Sequence, residues 1–243
     1  MKKVVTPYKD SQKDKKDQVA DMFNNIAKRY DFLNHFLSLG IDIYWRKRVV
    51  KLLKKKQPKT ILDIATGTAD LAIEMMALKP EKIIGADIST GMLDVGRVKI
   101  KKKNIDHIID LQEGDSENLP FEDNSFDAVT VSFGARNFAN LEKGLREMNR
   151  VLKPGGTLVI LEFSQPTMFP FKQLYQFYFK SILPGIGKLV SKDNAAYNYL
   201  PESVKAFPFG KQLNEIIEKC GYTDAKNTPL TLGISSIYTA GKK

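Results

Sequence analysis

The residues best placed to do chemistry follow a short apolar stretch in the first half of the chain. Asp63-Ile64-Ala65-Thr66-Gly67-Thr68-Ala69-Asp70 runs from that stretch into a turn of small residues. A strand, a small-residue turn and then a helix bring backbone N–H groups, Gly67 among them, close to a ligand. Asp87 follows 24 residues after Asp63. A carboxylate there can accept both hydroxyls of a ribose. Gly114-Asp115-Ser116 offers a further acid for an adenine amino group, and Ser132 follows another apolar run. The turn lacks the dinucleotide fingerprint G-x-G-x-x-G, having Ala65 and Ala69 where glycines would stand.

Each of these positions also has a plainer reading. Asp87 could cap the helix that Ser89 and Thr90 begin, and Asp115 could be a turn residue. Asp63, in the middle of an apolar run, must be paired, because a buried lone carboxylate costs several kcal/mol. It either anchors the turn or faces the charged end of a ligand.

Strands and helices must alternate to set these groups side by side. The spacing predicts strands over 60–65, 82–87, 109–113, 126–133 and 157–163, with helices over 69–78, 90–103 and 141–152 between them. A helix over 210–219 and two strands near 222–227 and 235–240, paired as a hairpin, end the chain. This alternation predicts a doubly wound, mostly parallel α/β sheet of seven strands, with the acids at the carboxyl ends. Before it, Val19, Met22, Phe23, Ile26 and Tyr30 recur at helical steps, and a second helix is expected over 44–54. Residues 164–208 break the rhythm as an aromatic-rich insert on the substrate side. Within the insert, Phe171, Leu174, Tyr175, Tyr178 and Ile182 fall on one helical face, widened by Phe177 and Phe179. Residues 1–18 are charged, without apolar periodicity, and are expected to be a mobile basic tail ahead of a single domain over 19–243.

The net charge is +10, yet residues 1–59 hold 16 Lys and Arg against 6 Asp and Glu, and the rest 22 of each. The excess belongs to the N-terminal segment and not to the strand-bearing core. No apolar signal segment opens the chain, and no eighteen apolar residues run together. The single cysteine, Cys220, fits a reducing compartment, so a cytoplasmic location is expected.

Several separated motifs give the chain a family resemblance. Arg150-Val151-Leu152-Lys153-Pro154-Gly155-Gly156-Thr157-Leu158-Val159-Ile160-Leu161-Glu162-Phe163-Ser164 resembles a signature of the demethylmenaquinone and demethylubiquinone C-methyltransferases, class I S-adenosylmethionine-dependent enzymes. Tyr30-Asp31-Phe32-Leu33-Asn34, with Ser38 and Trp45, is similar to that family's N-terminal signature, departing at Leu33, where methionine is usual, and Asp42, where histidine is usual. Ser132-Phe133-Gly134-Ala135-Arg136-Asn137 and Leu119-Pro120-Phe121 are similar too. The resemblance implies S-adenosyl-L-methionine as cofactor, contacted at Thr68, Asp87, Asp115, Ser116 and Ser132. It also implies methylation of a ring carbon on a reduced, lipid-tailed quinol, demethylmenaquinol giving menaquinol, with a ubiquinone-precursor benzoquinol as the alternative.

That chemistry wants a cation for the developing phenolate, and Arg136 is the candidate, with Asn137 orienting the ring. Arg136 has a plainer use, an ion pair with an acid such as Glu162. Tyr30 and Asp31 are candidates for closing the site from the N-terminal helix, Tyr30 equally for core packing. His35 and His107 are expected at the surface. The aromatic insert is read either as a channel for the lipid tail or as a lid. The N-terminal lysines, worth about 1 kcal/mol each near an anionic bilayer, suggest peripheral membrane contact. Nucleic-acid methylation is disfavoured. No acid- or asparagine-led Pro-Pro motif follows the strand at 126–133, and Cys220 is far from any nucleophile position.

Overall fold

The apolar run before the acid-bearing turn forms β1 (Thr60–Ile64), and every element of the site is placed by what pairs with it. β1 lies parallel between β2 (Lys82–Asp87) and β4 (Phe126–Ser132). β3 (Ile109–Glu113) adds in parallel beyond β2, and β5 (Leu152–Phe163) beyond β4. A hairpin of β6 (Tyr222–Leu230) and β7 (Ser235–Lys242) completes the edge, with β7 antiparallel to β5. The order is β3-β2-β1-β4-β5-β7-β6. The halves diverge from the β1–β4 pair, which opens a crevice beyond the carboxyl ends of these two strands. The computed structural model describes residues 5–177 and 194–243.

Helices cover both faces because the strand residues are apolar in both directions. Leu62, Ile64, Val129, Val131, Leu158 and Ile160 pack with Leu145 and Met148 of α5 (Leu141–Val151) and Leu213 and Ile217 of α8 (Lys211–Lys219). Their neighbours in sequence, Ile61, Ala128, Val159 and Leu161, turn the other way. They meet α2 (Ile41–Leu53), α3 (Asp70–Met75) and α4 (Thr90–Lys102) through Val49, Leu53, Met75 and Leu93. Each fully buried side chain of this size contributes about 1.5–3 kcal/mol. Among the described residues no helix is long and apolar enough to cross a membrane.

Three expectations are corrected. The first helix, α1 (Lys15–Leu37), starts inside the stretch expected to be tail. Asp14 Oδ1 accepts the Asp17 N–H (2.9 Å), which satisfies an end donor of the helix that apolar spacing alone does not reveal. Ahead of it, Val5 and Tyr8 pack against Val19, Met22 and Tyr199. Second, β5 begins at Leu152 and not Thr157, because Phe126 bridges Leu152 across a bulge that Gly155 turns at φ +76°. Third, α2 begins at Ile41, ahead of the expected Tyr44, after a left-handed Gly40 at φ +75°. The insert contributes α6 (Phe171–Phe177) and α7 (Asn194–Ala206). Tyr178, Phe179 and Ile182 of the expected apolar face lie outside the described residues. Leu174 and Phe177 are exposed, while the Tyr175 hydroxyl is buried, so the described part of that face is only partly covered.

Candidate active site

The turn after β1 is held in a coil by Ala65, Gly67 and Ala69, all left-handed at φ +51°, +57° and +67°. The two alanines each oppose the ordinary preference of an L-residue by roughly 1–2 kcal/mol, so something must hold the coil. Asp63 does. Its carboxylate accepts the Thr66 hydroxyl (2.7 Å) from the turn and the Thr130 hydroxyl (2.6 Å) from β4. Only 1% exposed, it is absent from the cavity wall, which decides its open alternatives in favour of the anchor. Burial pushes its pKa up to about 6 despite the two hydroxyls.

Asp87, at the end of β2, fixes the turn from the other side. Its Oδ2 accepts the Gly67 N–H and its Oδ1 the Ser89 N–H, both at 2.8 Å. Helix capping falls to the neighbouring Ser89, whose hydroxyl accepts the Met92 N–H. Burial raises Asp87 to about 6 as well. Asp115 accepts the Glu117 N–H (2.9 Å) and pairs with Lys16 of α1 (3.1 Å).

Gly67, Asp87, Asp115, Ser116, Ser132 and Asn137 converge on one cavity of about 660 Å³, closed above by Lys16, Val19, Phe23 and Tyr30 of α1. Six of the nine residues singled out in the sequence are thus brought together. Asn137 Oδ1 is buried there without a hydrogen-bond partner, an atom that a bound donor would satisfy. Carboxylates at two strand ends, the turn wrapped around Gly67 and an unpaired amide oxygen fit an adenosyl ligand bearing hydroxyls and amino groups. Thr68 is not on this wall. It is 2% exposed, donating to Asp31 Oδ1 (2.5 Å) and accepting from Lys99 (3.2 Å).

That hydroxyl belongs to a charged clamp that spacing does not announce. Lys99 of α4 binds Asp31 (2.8 Å) and Asp70, while Arg46 reaches Asp42 (2.7 Å) and Asp70 (3.4 Å). His35, expected at the surface, donates its Nδ1–H to the Asp42 carboxylate (2.8 Å) and lies 3.8 Å from Asp70. The acid standing where the resembled family has histidine is thereby used. Further along α1, Asn24 Oδ1 accepts the Ser89 hydroxyl and the Gly91 N–H, both at 2.8 Å. Lys15 donates to the carbonyls of Phe138 (2.8 Å) and Arg136 (3.3 Å), and burial lowers its pKa to about 8. The whole length of α1 is therefore strapped over the strand ends.

Arg136 faces a second cavity, of about 620 Å³, bounded by Met22, Ile26, Phe163, Ala196, Tyr199 and Leu200. The two cavities share Phe23, Tyr30 and Phe133 as a common wall. The Arg136 guanidinium donates to Glu162 (2.9 Å), a fully buried acid, and to the Phe133 carbonyl, and lies 5.4 Å above the Phe163 ring. The ion pair weighed in the sequence is thus present, though the Arg136 Nε–H still lacks a partner among the described residues. Enclosure pushes the Tyr30 hydroxyl up to about 12, so it stays a protonated donor.

Residues 10–242 match the ubiE/COQ5 methyltransferase family. The chain is 50% identical over 239 residues to the demethylmenaquinone methyltransferase of Bacteroides fragilis, covering 98% of this chain and 97% of that one. It is 46% identical to the ubiquinone/menaquinone biosynthesis C-methyltransferase UbiE of Geotalea daltonii, over 94% and 98% of the two chains. The solved structure of an S-adenosylmethionine-dependent methyltransferase from Thermotoga maritima shares the fold at 19% identity, with a TM-score of 0.62 over 92% of this chain and 99% of that one. With strand ends, paired cavities and sequence in agreement, the chain belongs to the ubiE/COQ5 methyltransferase family.

Proposed function

We propose that this chain transfers the methyl group of S-adenosyl-L-methionine to a ring carbon of demethylmenaquinol, giving menaquinol. The observation that carries the reading is the shared wall of Phe23, Tyr30 and Phe133. It sets a cavity edged by Asp87 and Asp115, able to hold an adenosyl ligand, against one walled by Met22, Ile26, Phe133 and Phe163, able to hold a flat ring. The demethylmenaquinone methyltransferase named among the half-identical relatives supports the substrate. Relatives named for both quinones support a second reading, C-methylation of a ubiquinone-precursor benzoquinol.

When bound, S-adenosylmethionine supplies an already electrophilic sulfonium methyl, so the chain's task is chiefly alignment. Asp87 takes the ribose hydroxyls, Asp115 and Ser116 the adenine end, and Gly67 and Ser132 line the path between. Thr68 acts one layer behind, by holding the turn to Asp31. Orientation of this kind supplies roughly 7–11 kcal/mol. Phe23, Phe133 and Phe163 exclude water and leave the ring few orientations. Arg136 stabilises negative charge on the ring oxygen. Its pairing with Glu162 leaves little net charge, so it acts through the directed Nε–H. Asn137, on the neighbouring wall, orients the reacting groups.

The insert over 164–208 forms the acceptor side of the single domain, as the place of Ala196, Tyr199 and Leu200 supports. Peripheral contact with an anionic bilayer is part of the proposal, at the inner face of the membrane. The exposed Met168, Phe169, Leu174 and Phe177 support it better than the N-terminal lysines, because Lys9, Lys13, Lys15 and Lys16 all have partners. Labelled S-adenosylmethionine offered with reduced demethylmenaquinone and the benzoquinol side by side tests the reaction. Label in menaquinol is expected, and label in neither product refutes it. Failure to bind anionic vesicles at low salt removes the membrane part.

A further inference from the structure

Tyr199 has no role in the sequence reading, since it lies in the insert 63 residues beyond Arg136. The fold brings it to the acceptor cavity, where it is 3% exposed and its hydroxyl has no hydrogen-bond partner among the described residues. Arg136 lines the same cavity, and its buried Nε–H also lacks a partner among the described residues. Met22, Ile26, Phe133 and Phe163 give the cavity apolar walls, and Tyr30 and Asn34 are its other polar residues. Two buried donors left open beside one cavity are rare in folded proteins, because each forfeits a hydrogen bond to water without replacing it. A ligand oxygen entering between them would recover both.

We propose that the Tyr199 hydroxyl and the Arg136 Nε–H together hold one ring oxygen of the aromatic acceptor, making Tyr199 a positioning and specificity residue for an oxygen-bearing ring. The inference rests on the quinol reading above and adds the group that selects the substrate. An apolar pocket by itself discriminates weakly between a ring with a hydroxyl and one without. A pocket with unpaired buried donors rejects the bare ring, since that ring leaves the donors unsatisfied.

The chain's single tryptophan gives a binding signal independent of turnover. Trp45 lies 5.8 Å from the Phe133 ring and 6.1 Å from the Phe163 ring, both on the cavity wall. With S-adenosylhomocysteine filling the first cavity, 1-naphthol and naphthalene are titrated against Trp45 fluorescence in the parent and in Tyr199→Phe. The parent is expected to prefer naphthol by roughly 5- to 30-fold, and the variant to lose most of that preference. S-adenosylhomocysteine affinity and thermal midpoint are expected to hold, and kcat/KM for the reduced quinone to fall roughly 10- to 100-fold. A variant with the parental naphthol preference overturns the inference. So does a parent that binds the two probes equally, a result that stands even if Tyr199→Phe folds poorly. A parent that methylates neither quinol refutes the functional reading instead, whatever the probes show.

Discussion

Gly134→Ala tests how the turn after β1 is held. Gly134 has φ −108° and ψ −32°, a conformation open to alanine, so the substitution brings no backbone penalty. A Cβ there would stand 2.4 Å from Ala65 Cβ and 3.3 Å from Val131 Cγ1. Carbon atoms pack at about 3.5–4.0 Å, so the two methyl groups must separate by about 1 Å. Neither has a torsion that can absorb this, and the backbone of the turn must move. Overpacking of this kind costs about 1–3 kcal/mol, or a midpoint drop of about 2–12 °C for a domain of this size. The turn also carries Gly67, so S-adenosylhomocysteine binding should weaken by roughly 10- to 100-fold, the scale of a 1 Å misplacement. The companion variant Ala65→Gly removes the opposing methyl group at a left-handed position that suits glycine. Combined, Gly134→Ala and Ala65→Gly should regain most of both losses, leaving Val131 Cγ1 as the closest neighbour. Scanning calorimetry and titration of the four proteins give the coupling directly. A double variant no better than Gly134→Ala alone would refute this account of the turn.

Three further perturbations follow from the same geometry. Asp87 titrates near 6 in the folded chain, above its unfolded value of about 3.9. Its contribution to stability therefore falls as pH rises from about 4 through 6. A ribose diol requires the carboxylate, so cofactor binding should release protons near pH 6 and none near pH 8. Calorimetry in buffers of different ionisation heat checks this, and Asp87→Asn should abolish the effect while leaving the titration of Asp63. Arg136→Ala strands the fully buried Glu162 and should cost about 3–5 kcal/mol in urea unfolding. Pairing Arg136→Gln with Glu162→Gln should restore most of that stability and cofactor affinity without restoring turnover; a fully active double variant would remove the role of Arg136. Asn24→Ala removes the acceptor of the Ser89 hydroxyl and the Gly91 N–H. It should lower stability by about 1–2 kcal/mol and loosen the cofactor, and an unchanged midpoint in thermal melts would show that α1 is not strapped there.

The sequence by itself determined the sheet, because the strand residues are apolar on both faces and the turn formers between them leave few other pairings. β1, β2 and β3 fall within a residue of their expected places. It determined too that acids stand at the strand ends, since alternation around a parallel sheet returns each of them to the same edge. Helix ends and strand extensions set by single bonds were not legible: the cap of Asp14 and the bulge at Gly155 leave no periodic trace.

Only the tertiary structure decided which acid borders the cavity and which is buried behind it. Asp63 and Asp87 are both acids of apolar strand segments in the sequence, but the hydroxyls of Thr66 and Thr130 hold one inside while the other keeps the cavity edge. The same holds for Arg136, whose partner Glu162 lies on the next strand, and for Tyr199, supplied from the insert. Local pattern fixes which face a residue takes. The partner it meets across the sheet depends on distances between segments that no short stretch of sequence contains.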